Sequence, residues 1–168
     1  MAFSLNGWQV PPPVKRTYKV PGANRRLTLD TTAGPILVAV AADYHKTIRP
    51  IDVGVTDEGG FNDRDANGAP GRKSNHASGT AVDLNWSKEG AGWSAEARTF
   101  WASARAKLAI ARIKLRYRKV VQWGGDWHGG VPGGAWDPMH FEIKPGVSRA
   151  AADAERKRLK IDRTGVRS

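Results

Sequence analysis

The chain has 168 residues, enough for one ordinary hydrophobic core and too few for two. With 40% hydrophobic residues, 26% charged residues and no apolar run near the roughly 20 residues that cross a bilayer, it reads as a globular chain without membrane insertion. The absence of cysteine excludes disulfides, thiolate ligands and cysteine nucleophiles, so any metal must rest on nitrogen and oxygen. A net charge of +11 favours a polyanionic partner, whether nucleic acid, anionic lipid or wall polymer, and does not choose among them.

The first residues lack a basic start, a sustained apolar stretch and a small-residue cleavage pattern, so no secretory signal is read and synthesis in the cytoplasm is expected. Pro11-Pro12-Pro13 and Pro21-Gly22 make residues 1–29 an extended lead-in with turns. Over 33–48, Leu37, Val40, Tyr44 and Ile48 share a helical stripe, with Asp30, Thr31 or Thr32 as cap and Pro35 tolerated in the first turn. Ile51, Val53 and Val55 alternate with Asp52 and Gly54 as in a half-buried strand. Residues 58–73, rich in Gly, Asn, Asp and Pro, form a long loop of the kind that often carries function. A short strand is expected over 80–85. Ser94 caps a helix whose apolar face is Ala97, Trp101, Ala104, Leu108, Ala111 and Leu115. Strands at 119–123 and 139–144 flank a glycine-dense loop, and 148–160 is a basic helix within a tail over 147–168. The expected fold is a single compact α+β domain, with a small antiparallel sheet, flanking helices, long loops and a core over about residues 30–146.

Zinc in an enzyme takes three protein ligands, leaves a position for water and works beside a carboxylate that accepts a proton. His76, Asp83, His140 and Asp137 offer those groups. A histidine and an aspartate seven residues apart also fit a capping or surface pair, but Asp83 lies between Val82 and Leu84, where an unpaired carboxylate is costly. His140 and Glu142 share one face of a strand and Asp137 precedes it, so two carboxylates compete as base, and either also fits as the group that orients a ligand histidine. His128, in the glycine-dense loop, reads as a solvated side chain or a substrate contact, and His45 as a boundary residue of the first helix. Among Trp86, Trp93, Trp123, Trp127 and Trp136, most are expected in the core and one or two along a groove.

Ser74-Asn75-His76-Ala77-Ser78-Gly79-Thr80-Ala81-Val82-Asp83, followed by Asp137-Pro138-Met139-His140-Phe141-Glu142, resembles the D-alanyl-D-alanine carboxypeptidase and L-alanyl-D-glutamate endopeptidase superfamily of zinc enzymes. The bacteriophage endolysin branch is the most similar, with Trp123-Gly124-Gly125-Asp126-Trp127 adding to the likeness, which covers roughly residues 30 to 145. The resemblance implies His76, Asp83 and His140 as zinc ligands and Asp137 as general base, at a position where other members carry Glu. It also implies an arginine after a glycine–aromatic pair that stabilises the oxyanion: Arg64, following Gly60-Phe61, with Arg72 as competitor. The implied activity is zinc-dependent hydrolysis of an amide in the peptidoglycan stem peptide, at L-alanyl-D-glutamate or a D-Ala-containing bond, by a monomer that reaches the wall through a membrane lesion and lyses the host. Bacterial peptidoglycan is the implied partner, and the positive charge suits anionic wall polymers. A host D-Ala-D-Ala carboxypeptidase is one alternative, although a signal or anchor would be expected in it. A basic nucleic-acid-binding protein or metal nuclease is the other, but the basic residues are scattered, so no specific nucleic acid is expected.

Overall fold

The computed structural model describes residues 1–89, 94–130 and 135–168. Two hairpins open the chain: Ala2–Phe3 (β1) pairs antiparallel with Gln9–Val10 (β2), and Lys15–Lys19 (β3) with Arg26–Asp30 (β4). Trp8, Tyr18, Val20, Leu27 and Leu29 from this region are buried in the common core. Residues 1–29 are thus part of the fold and not merely a lead-in to it.

The helix Gly34–Thr47 (α1) forms where expected, with Pro35 in its first turn. The Asp30 carboxylate accepts the amides of Thr32 and Ala33 at 2.8 and 3.2 Å, just ahead of it. Residues 51–55, expected as a strand, are a run of bends in which Ile51 is buried while Val53 and Val55 are exposed. Side chains take the place of a neighbouring strand there: Arg25 donates to the carbonyls of Gly54 and Val55, and Lys88 to that of Val53. The expected loop over 58–73 contains a hairpin, Asp65–Ala66 (β5) with Ala69–Lys73 (β6), turning at Asn67-Gly68 where Gly68 has φ +71°.

Ala81–Asp83 (β7) leads into the short helix Trp86–Glu89 (α2). The long helix expected after Ser94 is two helices, Ala95–Ala102 (α3) and Ala104–Tyr117 (α4). Ser103 between them is extended (φ −65°, ψ 145°), and its hydroxyl accepts the Ala106 amide and caps α4. The break resets the helical phase. Ala97 and Trp101 are buried as expected, but on α4 the core face is Ala106, Ala109, Ile110, Ile113 and Tyr117, leaving Leu108 and Leu115 exposed. Replacing Ile113 with Ala should therefore cost about 2–5 kcal/mol in chemical denaturation, whereas Leu115→Ala should stay within about 0.5 kcal/mol of the parent.

Val121–Trp123 (β8) runs into a 3₁₀ stretch, Gly124–Gly130, kinked at Trp127–Gly129. His140–Ile143 (β9) and the Ser148-capped basic helix Arg149–Arg158 (α5) complete an α+β domain with small antiparallel sheets. Trp93 and Pro132-Gly133-Gly134 lie outside the described residues. The sheet that matters for chemistry is β7-β9-β8, antiparallel throughout, with β9 in the centre. Alternation sends Phe141 and Ile143 of β9 into the core with Val82 and Trp123 and leaves His140 and Glu142 on the opposite face.

Candidate metal centre

Sheet register assembles the site. Asp83 is the direct cross-strand partner of His140, and Glu142 is flanked by Ala81 on β7 and Gln122 on β8. His76 arrives from the turn over residues 74–80, in which the amides of Ala77, Thr80 and Gly79 close on the Ser74, Asn75 and His76 carbonyls. Gly79, at φ +65°, lets this turn pack on β4: a Cβ there would sit 2.6 Å from the Asp30 nitrogen.

His76 Nε2 lies 3.2 Å from Asp83 Oδ2, and His140 Nδ1 lies 2.7 Å from Asp83 Oδ1 and 3.3 Å from His76 Nε2. One ligand atom from each of the three residues falls within 4.8 Å of the others, a spread that a single cation can close. The nitrogens facing away are already committed: His76 Nδ1 donates to the Gly60 carbonyl at 2.7 Å and His140 Nε2 to Glu142 at 2.8 Å. Such partners fix tautomer and ring orientation and leave the inward lone pairs for a metal. The donor set and its supporting hydrogen bonds fit zinc.

Glu142 is saturated. Its Oε2 takes Asn75 Nδ2 at 2.6 Å as well as His140, and its Oε1 takes Gln122 Nε2 at 2.6 Å. Burial opposes its charge, but these donors prevail and hold its pKa below the usual carboxylate value. Asp137 is the opposite case: its buried Oδ1 has no partner among the described residues, and burial pushes its pKa up to about 6, with His140 pulling it down and Asp83 pushing it further up. Of the two competing carboxylates, Glu142 is occupied in orienting His140 and Asp137 is left with an unspent oxygen.

In the metal-free protein burial disfavours charge on His140, yet its hydrogen bonds to Asp83 and Glu142 outweigh that and raise its pKa to about 10. Burial likewise opposes ionisation of Asp83, and the two histidines overcome it, holding its carboxyl far below the usual range. The imidazolium proton on Nδ1 thus occupies the ground on which a bound cation would sit.

His76, Asp137, His140 and Glu142 open on a cleft of about 490 Å³, lined also by Arg64, Asn67, Leu5, Trp127 and Trp136. Arg64 is steadied by Asn67 Oδ1 at 3.2 Å. Arg72 is exposed on β6 and does not line the cleft. Trp127 stacks obliquely on His140 with ring centroids 5.1 Å apart. Trp123 is in the core, Trp86 is 55% exposed, and His128 is exposed at φ 54° outside the cleft lining. His45, on α1, receives the Ile51 amide at Nδ1.

Two contributors were not legible in the sequence. Asn75, inside the first motif, bridges Glu142 to the amino-terminal segment by accepting the Asn6 amide at 2.8 Å. Asn6 is itself buried and donates to Thr80 Oγ1 and the Ile143 carbonyl, tying the segment to both motif strands. No local pattern around Asn6 points to this; only the Ser-Asn-His context of Asn75 could have flagged the motif half.

No curated protein and no solved structure matches the chain. Residues 67–143 match the sequence model of a family described as D-alanyl-D-alanine carboxypeptidase. The matched segment, a little under half of the chain, holds His76, Asp83, Asp137, His140 and Glu142, with Arg64 three residues ahead of it, so this part of the chain is similar to that family.

Proposed function

We propose that this protein is a zinc-dependent peptidoglycan peptidase of the endolysin type, which hydrolyses a stem-peptide amide at L-alanyl-D-glutamate or at a D-Ala-containing bond. The supporting observation is three convergent donors beside a buried carboxylate with an unspent oxygen. Zinc, when bound, supplies a Lewis acid that polarises the scissile carbonyl and acidifies water. His76, Asp83 and His140 hold it, and Glu142 keeps the His140 ring in its ligating orientation. Asp137 accepts the proton of the attacking water through its free oxygen and returns it to the departing amine. Arg64 brings a guanidinium to the same cleft for the negative charge that develops on the carbonyl oxygen. Trp127 and Trp136 wall the cleft and limit water around the reacting bond.

The description of the matched family favours one second reading, removal of a terminal D-alanine. Mass spectrometry of digested peptidoglycan separates the two. New amino groups on glutamate, or on the residue cross-linked to D-alanine, mark the endopeptidase, and free D-alanine marks the carboxypeptidase. Fragments cut only between sugars, or no fragments at all, would overturn both.

A further inference from the structure

Beyond the cleft lie two further depressions, linked to it and to each other by shared wall residues. One, of about 300 Å³, shares Trp127 with the cleft and is bordered by Lys114, Arg118 and Lys144. The next, of about 460 Å³, shares Arg118 with it and lies between α4 and α5, where Arg112, Lys119 and Arg158 surround the apolar side chains Leu115 and Leu159. Together they make a basic track that leaves the metal centre past Trp127.

The charges along the track are not all neutralised. Arg116 is spent on Asp43 at 2.6 Å, Arg158 on Glu155 at 2.6 and 2.7 Å, and Lys114 on Asp126 at 2.5 Å. Arg112, Arg118 and Lys119 are exposed, and their side chains form no hydrogen bond or ion pair among the described residues. Glu155, whose carboxyl feels Lys119 and Arg118, is already held by Arg158. Guanidinium groups grouped on one wall of a notch suit phosphate oxygens, which they bind in pairs of parallel hydrogen bonds. Leu115, 63% exposed on the same wall, provides an apolar step for the carbon backbone between phosphates.

We propose that this track binds a phosphodiester-linked anionic polymer joined to the peptidoglycan that the cleft cuts. The inference rests on the peptidase reading for the cleft and assigns to the α4–α5 notch the task of holding the enzyme on its substrate. Continuity of the track with the cleft and its unneutralised charge argue for this occupant, since a strand tied to the wall can follow both at once.

The test is co-sedimentation of the full chain with purified walls, intact or stripped of phosphodiester polymer by hydrofluoric acid. It uses the parent, a track variant (R112E/R118E/K119E) and a control of equal net charge on the β3–β4 hairpin (R16E/K19E/R26E). Affinity of the parent should fall about tenfold or more on stripped walls and with added salt, the track variant should bind intact walls as weakly as stripped ones, and the control should resemble the parent. Equal binding by parent and track variant, or an equal loss in the control, overturns the proposal. A neutral set (R112Q/R118Q/K119Q) with unchanged circular dichroism guards against misfolding. Hydrolysis of a soluble stem peptide, read in parallel, should be the same in all variants. Its absence in the parent would sink the peptidase reading and leave the wall-binding result to stand or fall by itself.

Discussion

Asp137→Ala should lower kcat on peptidoglycan by about 10² to 10⁴, the range of a lost general base, while zinc content stays at the parental level. The two effects separate because Asp137 is not one of the three convergent donors, and its buried Oδ1 is free of hydrogen-bond partners among the described residues. Stability adds a second discriminating readout. A carboxyl whose pKa is raised to about 6 by burial is held at a cost when ionised, so the metal-free protein is penalised by this group above about pH 6 and relieved of it as the group protonates below. Removing the carboxyl should leave the metal-free protein no less stable at neutral pH, so activity falls without a fall in melting temperature. A base that works only when ionised also predicts an acid limb in the pH–rate profile, with rate lost as the group protonates, and Asp137→Ala should lack that limb. Asp137→Glu, which keeps a carboxylate at this position on a longer side chain, should recover part of the rate.

Zinc uptake should release a proton from His140, and apparent affinity should climb by about one log unit per pH unit through the neutral range. The sign follows from the raised pKa of about 10: below it the metal-free ring carries the proton that the ion must displace, and more acid means more competition. Calorimetric titration in buffers of different ionisation enthalpy counts that proton. His140→Ala should abolish high-affinity binding. Glu142→Gln should weaken it by about 10- to 100-fold, the usual cost of losing a partner behind a ligand histidine, and should also reduce proton release, because the carboxylate that helps hold His140 charged is gone. Affinity that is flat with pH, or undiminished in Glu142→Gln, would contradict a His140 ring held between Asp83 and Glu142.

The parts of the site carried by strand alternation were legible before the fold was known. Val82 and Leu84 point into the core around Asp83, and His140 and Glu142 share a face because strand side chains alternate. Their meeting was not legible, since Asp83 and His140 are 57 residues apart and only the β7–β9 register sets them opposite each other. The base was ambiguous for a related reason: Glu142 and Asp137 differ in what surrounds them, and those surroundings come from Asn75, Gln122 and the cleft wall.

Elsewhere the misreadings have local causes. Ser103 interrupts a sequence whose Ala, Leu and Arg positions fit a continuous helix, but serine favours N-caps over helix interiors, and that preference decided the break. Asn67-Gly68 is a recognised hairpin turn that the surrounding Gly, Asp and Pro obscured. Residues 51–55 alternate as a strand should, yet Arg25 and Lys88 supply hydrogen bonds that a strand neighbour would have made. The amino-terminal segment carries no periodicity at all, and its place beside the motif rests on Ser4 and Asn6 hydrogen-bonding to Ser78, Thr80 and Asn75.

The most direct test strips the protein with chelator, returns zinc in small steps and follows hydrolysis of purified peptidoglycan. The stripped protein should show no hydrolysis, and recovery should rise linearly and level off at one zinc per chain, with no recovery in His76→Ala, Asp83→Ala and His140→Ala. Full hydrolysis by verified metal-free protein, or recovery undiminished in those variants, would contradict a reaction that depends on zinc held by these three side chains.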